Sequence, residues 1–229
     1  MDLRNKEDKL HEKLEHVGSS SEWKSKNGKI NKILNDAVNE KTPIYFMTDI
    51  HLFIKNQSGK GGHPAYNMQE RINALKSLPE NSVFVFLGDL TDGEFVDGNE
   101  LLKVMNGVIK SKYKIMVVGN NDLMPRSVYN KIFDIVTTCF VWDNIMFSHM
   151  SQKHNNRMNI HGHMHNSRNY WNPYNNHIDI AFVGGRDKPV DLETIIKSLN
   201  RYKTQVREDP TKFTETANII EYNLIDYIE

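Results

Sequence analysis

The sequence holds one cysteine, Cys139, in 229 residues, which excludes an internal disulfide and suits a reducing compartment. It has no excess charge of either sign. Lys+Arg and Asp+Glu cancel at 29 each, so no bulk field draws the chain to a polyanion, which disfavours a general nucleic-acid coating role and leaves room for a local phosphate site. No stretch approaches the roughly 18 uninterrupted apolar residues that would cross a bilayer. The opening MDLRNKEDKLHEKLEHVG lacks the apolar core of a secretory signal. Internal repeats and low-complexity tracts are also missing. The expectation is a soluble, cytoplasmic protein. An apolar share of 38% and a charged share of 25% are ordinary for a globular chain and exclude a disordered chain, a coiled-coil rod or a collagen-like repeat. The length suits one large domain with peripheral additions. Histidine is what stands out, with ten residues at telling places.

Residues 1–41 read as a helical N-terminal extension, 42–200 as the main domain, and 201–229 as a C-terminal tail packing on it. Within the extension, Leu3, Leu10, Leu14 and Val17 share one helical face before Gly18, and Ile30, Ile33, Leu34, Ala37 and Val38 form a cleaner amphipathic helix closed by Thr42-Pro43. It is expected to pack on the main body or on a partner. From Pro43 the pattern becomes short apolar runs ending in polar residues: Ile44–Met47, Val83–Leu87 and Ile115–Val118. Such β-branched and aromatic runs predict strands buried on both faces. Helical spacings lie between and after them, over Met68, Ile72, Leu75 and Leu78, over Leu101, Met105, Val108 and Ile109, and over Val128, Ile132 and Ile135 after Pro125. That alternation predicts a βαβ core with parallel strands. Further on, Asp143-Asn144 between Cys139–Trp142 and Ile145–Phe147 predicts a tight hairpin. Short strands around Met158–Ile160 and Ile178–Val183 and a helix over Leu192, Ile195, Ile196 and Leu199 complete the domain. The second half is expected to form an antiparallel or mixed sheet, and the whole an α/β fold of two packed sheets with helices outside.

Polar groups at the carboxyl ends of buried strands are where α/β proteins place their sites. Here they are Asp49, His51, Asp89 and Asn120, joined later by His149, His163 and His165. Carboxylate and amide oxygens with imidazole nitrogens, and no thiolate, suit hard or borderline divalent cations. Asp49-x-His51 is compact because residues two apart in a strand face the same side, and His163-x-His165 has the same spacing. The seven residues would fill a two-metal site if one carboxylate bridged, and Asp89 is the natural bridge. Taken singly, Gly88-Asp89 or Gly119-Asn120-Asn121-Asp122 is only turn chemistry. The ordered set, each block ending an apolar run, carries the chemistry.

That set, Asp49-x-His51, Gly88-Asp89, Gly119-Asn120-x-Asp122, Ser148-His149 and Gly162-His163-x-His165, resembles the calcineurin-like metallophosphoesterases over about Ile44 to His165. Pro189–Ile195 also looks like the closing helix of small bacterial and phage members. The resemblance implies a four-layer α/β/β/α sandwich of two mixed sheets with a dimetal centre at the sheet edges. One metal would take Asp49, His51, Asp89 and His165, and the other Asp89, Asn120, His149 and His163. It implies a dimetal-dependent phosphoesterase in which metal-activated water attacks a phosphodiester or phosphomonoester in line, so the lack of a Ser-His-Asp or Cys-His pattern is consistent. Mn²⁺ is the working cation by family likeness, with Fe, Zn²⁺ or Ni²⁺ tolerated by the same donors. In one place the sequence departs from the family pattern. The family's Gly-Asn-His-Asp becomes Gly119-Asn120-Asn121-Asp122, and an amide at Asn121 donates a hydrogen bond but delivers no proton near pH 7. Loss of a general acid costs about 10²–10⁴-fold, felt most with alkoxide leaving groups.

Around this set, Asp92 is a candidate partner for a ligand histidine, and His161 and His154 are expected to be non-ligands. Arg126 and Arg157 are expected at solvated surfaces, His63 in a loop able to act as a lid, and Tyr170 and Trp171 in packing roles. The basic run Arg186, Lys188, Lys197, Arg201, Lys203 and Arg207 is interleaved with acids and reads as a solvated face. The expected partner is a phosphate-ester substrate, a small molecule or nucleotide, with no membrane. A nuclease acting on DNA or RNA is the alternative enzyme, disfavoured by the neutral charge. A non-catalytic scaffold docking through the N-terminal helices is the alternative of another class.

Overall fold

A computed structural model of the chain describes residues 21–53, 68–92, 97–152, 157–164, 171–172, 177–180 and 188–208. Apolar runs set the strands. Ile44–Met47 (β1), Val83–Phe86 (β2) and Tyr113–Val117 (β3) lie side by side and parallel, as expected of a βαβ core. Ile135–Thr137 (β4) extends the same sheet in parallel beside β3, and Val190–Asp191 (β10) closes its other edge antiparallel to β1. The sheet order is β10-β1-β2-β3-β4. A second five-stranded sheet has the order β5-β6-β7-β9-β8, from Cys139–Trp142 (β5), Ile145–Ser148 (β6), Met158–His161 (β7), Trp171–Asn172 (β8) and His177–Asp179 (β9). It is mixed: β6, β7 and β9 run parallel, and β5 and β8 run antiparallel at its edges. The β5–β6 hairpin turns on Asp143 and Asn144, both left-handed with φ of 47° and 60°, as a two-residue type I′ loop requires.

Strand alternation then sorts the faces. Phe46, Val85 and Ile115 of the first sheet meet Phe140, Phe147 and Ile160 of the second in one core, where Phe46 and Phe147 stack at 5.5 Å between ring centroids. Phe84, Phe86 and Met116 point the other way, into a second core under Met68–Lys76 (α2), Gly98–Met105 (α3) and Arg126–Tyr129 (α4). Two longer helices, Ser21–Asn39 (α1) and Leu192–Glu208 (α5), join the inter-sheet core through Ile30, Leu34 and Ala37 and through Ile195, Ile196 and Leu199. The α/β architecture of two mixed sheets with helices, and the N-terminal helix before it, are therefore present.

Three expectations need correction. The helix after Pro125 is a single turn, and Ile135 opens β4 instead of extending it. Apolar residues three apart fit a helix or a turn followed by a strand equally well, and the β-branched Ile135-Val-Thr137 decides for the strand. The helix over Leu101 and Met105 stops before Val108 and Ile109, because Gly107 takes a φ of 66°, a left-handed helix stop. The first-sheet edge strand β10 went unforeseen, since two residues carry too little periodicity to read. Of the expected N-terminal helix pair, the half around Leu3 to Val17 lies outside the described residues, as do Ala181–Val183.

The N-terminal helix does more than bury apolar side chains. Strand β5 is an edge, with backbone groups that need partners, and α1 supplies them from residues spaced one turn apart. Trp23 Nε1 donates to Cys139 O at 3.0 Å, Asn27 Oδ1 accepts from Val141 N at 2.7 Å, and Asn31 Nδ2 donates to Val141 O at 2.7 Å. One turn on, Asn35 Oδ1 accepts from Trp142 Nε1 at 2.8 Å. Polar residues at Asn27, Asn31 and Asn35 thus cover a sheet edge. Asn27→Leu leaves the Val141 N–H without its acceptor and is expected to cost about 1–3 kcal/mol. Urea unfolding would read this as a lowered midpoint, and a midpoint equal to that of the unsubstituted protein would contradict the edge-covering role.

Candidate metal centre

Because β1, β2 and β3 are parallel, and β6 and β7 are parallel in the other sheet, their carboxyl ends are where Asp49, Asp89, Asn120, His149 and His163 follow. Beyond β1 and β2 the chain does not continue as strand. Thr48–Phe53 and Gly88–Asp92 run side by side, with Asp49 N donating to Gly88 O and His51 N to Asp89 O, both at 3.0 Å. The first segment turns left-handed at every second residue, with φ of 56° at Asp49, 41° at His51 and 69° at Phe53, and the second at two adjacent residues, with φ of 89° at Gly88 and 57° at Asp89. Ile50, Leu52 and Leu90 between them are buried in the apolar core. Asp49 and His51 therefore reach the same side through alternating backbone hand and not, as the sequence suggested, through strand pleat. Asp and His tolerate this region better than most side chains, which is one reason these residue types occupy it.

Close approach decides two glycines. A Cβ on Gly88 would sit 2.6 Å from His149 Nδ1, and one on Gly162 would collide with the side chains of Thr48 and Asp49. The two sheets can bring their histidine and aspartate loops together only because these positions lack side chains.

Potential ligand atoms gather in two groups. Those of Asp49, His51 and Asp89 all lie within 4.8 Å of one another, and so do those of Asp89, His149 and His163, so the groups share Asp89. His51 Nε2 is 3.6 Å and His149 Nε2 3.2 Å from Asp89 Oδ2. Asn120 Oδ1 lies 3.0 Å from His149 Nε2, which puts it beside the second group. The donors are carboxylate and amide oxygens and imidazole nitrogens, a set that fits a divalent cation. Six of the seven expected ligands thus converge, and His165 lies outside the described residues.

The surrounding contacts orient the ligands. His149 Nδ1 donates to Leu87 O at 2.8 Å, turning Nε2 toward Asp89. Thr48 Oγ1 is 2.7 Å from Asp49 Oδ2, which also accepts from His163 N at 2.8 Å. Asp92 Oδ1 is 3.8 Å from His51 Nδ1, the side expected of it. Asn121 is half-buried. Its backbone N–H donates to Asp89 Oδ1 at 2.9 Å and its Nδ2 to Asp89 Oδ2 at 2.8 Å. His161 belongs to neither group, and its ring nitrogens meet Gly162 O and His177 Nδ1 instead. Arg126 pairs with Glu22 at 3.3 Å, and Arg157 reaches Asn144 at the hairpin turn, both exposed. His63, His154, Tyr170 and Arg186 lie outside the described residues, and so do the side chains of Trp171, Lys203 and Arg207.

Two residues gain roles that the sequence did not give them. Asp122 is buried, and its carboxylate accepts from Asp89 N and Leu90 N at 2.9 Å and from Gly119 N at 2.8 Å, tying the β2 and β3 loops together. Its place in the third motif block was the available signal. Arg71, on α2, is also buried and donates through Nη1 to Ile50 O, between the first two ligands. Nothing in its spacing marked it.

The electrostatics follow from burial. Desolvation opposes ionising Asp89, but His149 and then His51 beside it outweigh this and hold its pKa below the ordinary carboxylate value. Desolvation and then the charge of Asp89 push Asp122 up to about 6, against its amide donors. Burial also opposes charge on the histidines, yet the carboxylates win, raising His51 to about 9, chiefly through Asp49 and Asp92, and His149 to about 10, chiefly through Asp89. In the metal-free chain both rings therefore carry a proton at pH 7, whereas a ligating imidazole must be neutral. Cation binding at pH 7 should expel protons, and affinity should climb as pH rises toward 9. Calorimetric Mn²⁺ titrations at pH 7 in buffers of different ionisation enthalpy would measure the release. Apparent enthalpies independent of the buffer would contradict protonated ligands.

The family comparison agrees with this geometry. No curated protein matches the chain significantly. Among solved structures, a protein of unknown function from Aquifex aeolicus is similar at 20% identity and a TM-score of 0.47, over 68% of this chain and 98% of that one. The family model described as calcineurin-like phosphoesterase matches residues 42–217, which spans both sheets and every expected ligand position. The chain belongs to the calcineurin-like phosphoesterases.

Proposed function

We propose that the protein is a dimetal phosphoesterase that hydrolyses a phosphodiester, with a phosphomonoester as the alternative substrate, and that Mn²⁺ is its working cation. The single observation that carries the reading is the sharing of Asp89 by two ligand groups. Asp49, His51 and Asp89 would hold one cation, with His165 as the fourth ligand expected from the sequence. Asp89, Asn120, His149 and His163 would hold the other. Bound there, the cations would supply a Lewis-acid clamp for a phosphoryl group and an activated water for in-line attack.

The chain's own residues do the rest. Asp89 is buried and ionised, so it stands ready between the groups without a proton to lose. Asp122 fixes the peptide on either side of the gap and so sets the spacing of Asp89 from Asn120. Asn121 contributes a backbone and a side-chain N–H to the Asp89 carboxylate. We assign it the role of steadying that group, with no proton to give to a departing oxygen. Leaving groups that depart as stable anions, such as aryl or phosphoanhydride oxygens, suit such a site better than alkoxides.

The test is hydrolysis of bis- and mono-p-nitrophenyl phosphate by metal-stripped protein with Mn²⁺ added back. Turnover is expected to depend on the cation and to fall at least about 100-fold in Asp89→Asn, since even outer partners of ligands cost 10–100-fold. A higher rate on the bis ester would support the diesterase. Cation-independent turnover, or none with any divalent cation in folded protein, would contradict the reading. Asn121→His is expected to raise turnover on an alkyl diester by up to about 10²–10⁴-fold, the span of general acid catalysis, and less on an aryl one. Equal gains, or no gain on either, would contradict the role given to Asn121.

A further inference from the structure

The second sheet turns an unusual face away from the inter-sheet core. Phe147, Ile160 and Ile178 point into that core, so by alternation Ser148, Asn159, His161, His177 and Asp179 share the opposite face. Ser148, Asn159, His161 and Asp179 are nevertheless buried. Within this polar layer His161 has both ring nitrogens engaged. Nδ1 is 2.6 Å from Gly162 O, and Nε2 is 2.8 Å from His177 Nδ1.

The chemistry of the partners assigns the hydrogens. A carbonyl oxygen only accepts, so His161 Nδ1 carries the proton. His161 is fully buried, and its nitrogens meet a carbonyl oxygen and a second imidazole with no carboxylate to balance a charge, so the ring is neutral. His161 Nε2 is then a bare acceptor, and the hydrogen between the rings belongs to His177 Nδ1. His161 is held as the Nδ1–H tautomer, the less populated form of free neutral histidine.

The far end of this pair acts on the centre. Gly162 O also accepts from Met164 N at 3.0 Å, while Gly162 N donates to His149 O at 3.0 Å. The next N–H, that of His163, donates to Asp49 Oδ2 at 2.8 Å. Gly162 and the peptide after it, whose oxygen His161 grips, therefore link the His149 loop, the His163 loop and Asp49. It does so at a turn where His163 has a φ of 75°, a conformation that needs outside support.

We propose that His177 and His161 are positioning residues, a tautomer-locked relay that holds the Gly162–His163 turn and thereby sets the cation affinity of the Asp89–His149–His163 group. The inference rests on reading that group as a metal site. His161 is not itself a ligand, because its two ring nitrogens are occupied by Gly162 and His177.

Two measurements test it. In metal-free wild-type protein, long-range ¹H–¹⁵N correlation should show His161 with a protonated Nδ1 and a bare Nε2; a protonated Nε2 would overturn the relay whatever the metal does. Calorimetric Mn²⁺ titration would then compare variants. His177→Phe keeps a ring and removes the donor, and should weaken binding about 10–100-fold, as for other partners that orient ligands. His177→Asn places an amide N–H where Nδ1 stood, and should recover most of that loss. A role in packing alone would give the reverse order, with the ring-bearing variant near wild type and the asparagine impaired, and that order would overturn the proposal. If His177→Phe does not fold, wild-type-like affinity in His177→Asn still supports the relay and its loss still overturns it. A wild-type protein that binds no divalent cation would refute the metal reading itself, and the relay's function with it. Normal wild-type binding with unaffected His177 variants would refute the relay alone.

Discussion

The site depends on keeping one carboxylate, Asp89, ionised with no solvent around it. An unpaired buried charge is among the costliest features a fold can carry. Here the charge is met from several directions. His149 and His51 approach Asp89 Oδ2, and Asn121 donates two hydrogen bonds to the carboxylate. A second buried carboxylate, Asp122, would worsen the balance were it not occupied by backbone donors that include the amide of Asp89 itself. In the metal-free chain two imidazolium rings supply the positive charge that cations would bring. The same repulsions and attractions that raise His51 and His149 make the site a place where metal and protons compete.

Geometry there is held against local preference. Left-handed backbone at Asp49, His51, Asp89 and His163 costs of order 1–3 kcal/mol at each residue and persists because the surroundings over-determine it. The two apolar cores anchor Ile50, Leu52 and Leu90 between the turned residues, and the glycines at 88 and 162 let the loops of opposite sheets touch. Packing far from the chemistry thus fixes the chemistry. The α1 helix contributes at one remove, closing the β5 edge through Trp23, Asn27 and Asn31, so that the sheet carrying His149 and His163 has one settled edge.

Much of this was legible in the sequence because the signals were periodic or chemically narrow. The parallel strands β1 to β3 and the Asp143-Asn144 hairpin came from buried runs and turn chemistry, and six converging candidate ligands came from polar residues ending those runs. Short elements were not legible: β10 has two residues, and Ile132 with Ile135 fits helix and turn-plus-strand alike. The reason Asp49 and His51 face together was also hidden, since alternate left-handed backbone leaves no mark distinct from strand alternation. Contacts joining distant segments stayed invisible for a simpler reason. Arg71 with Ile50, and His161 with His177, become neighbours only once the elements are placed.

The central claim is that two cations share Asp89. Anomalous diffraction from crystals soaked in Mn²⁺ tests it most directly. The account predicts two peaks per chain, one among Asp49, His51 and Asp89 and the other among Asp89, Asn120, His149 and His163, with Asp89 reaching both. A single peak, or two peaks of which only one contacts Asp89, would contradict it.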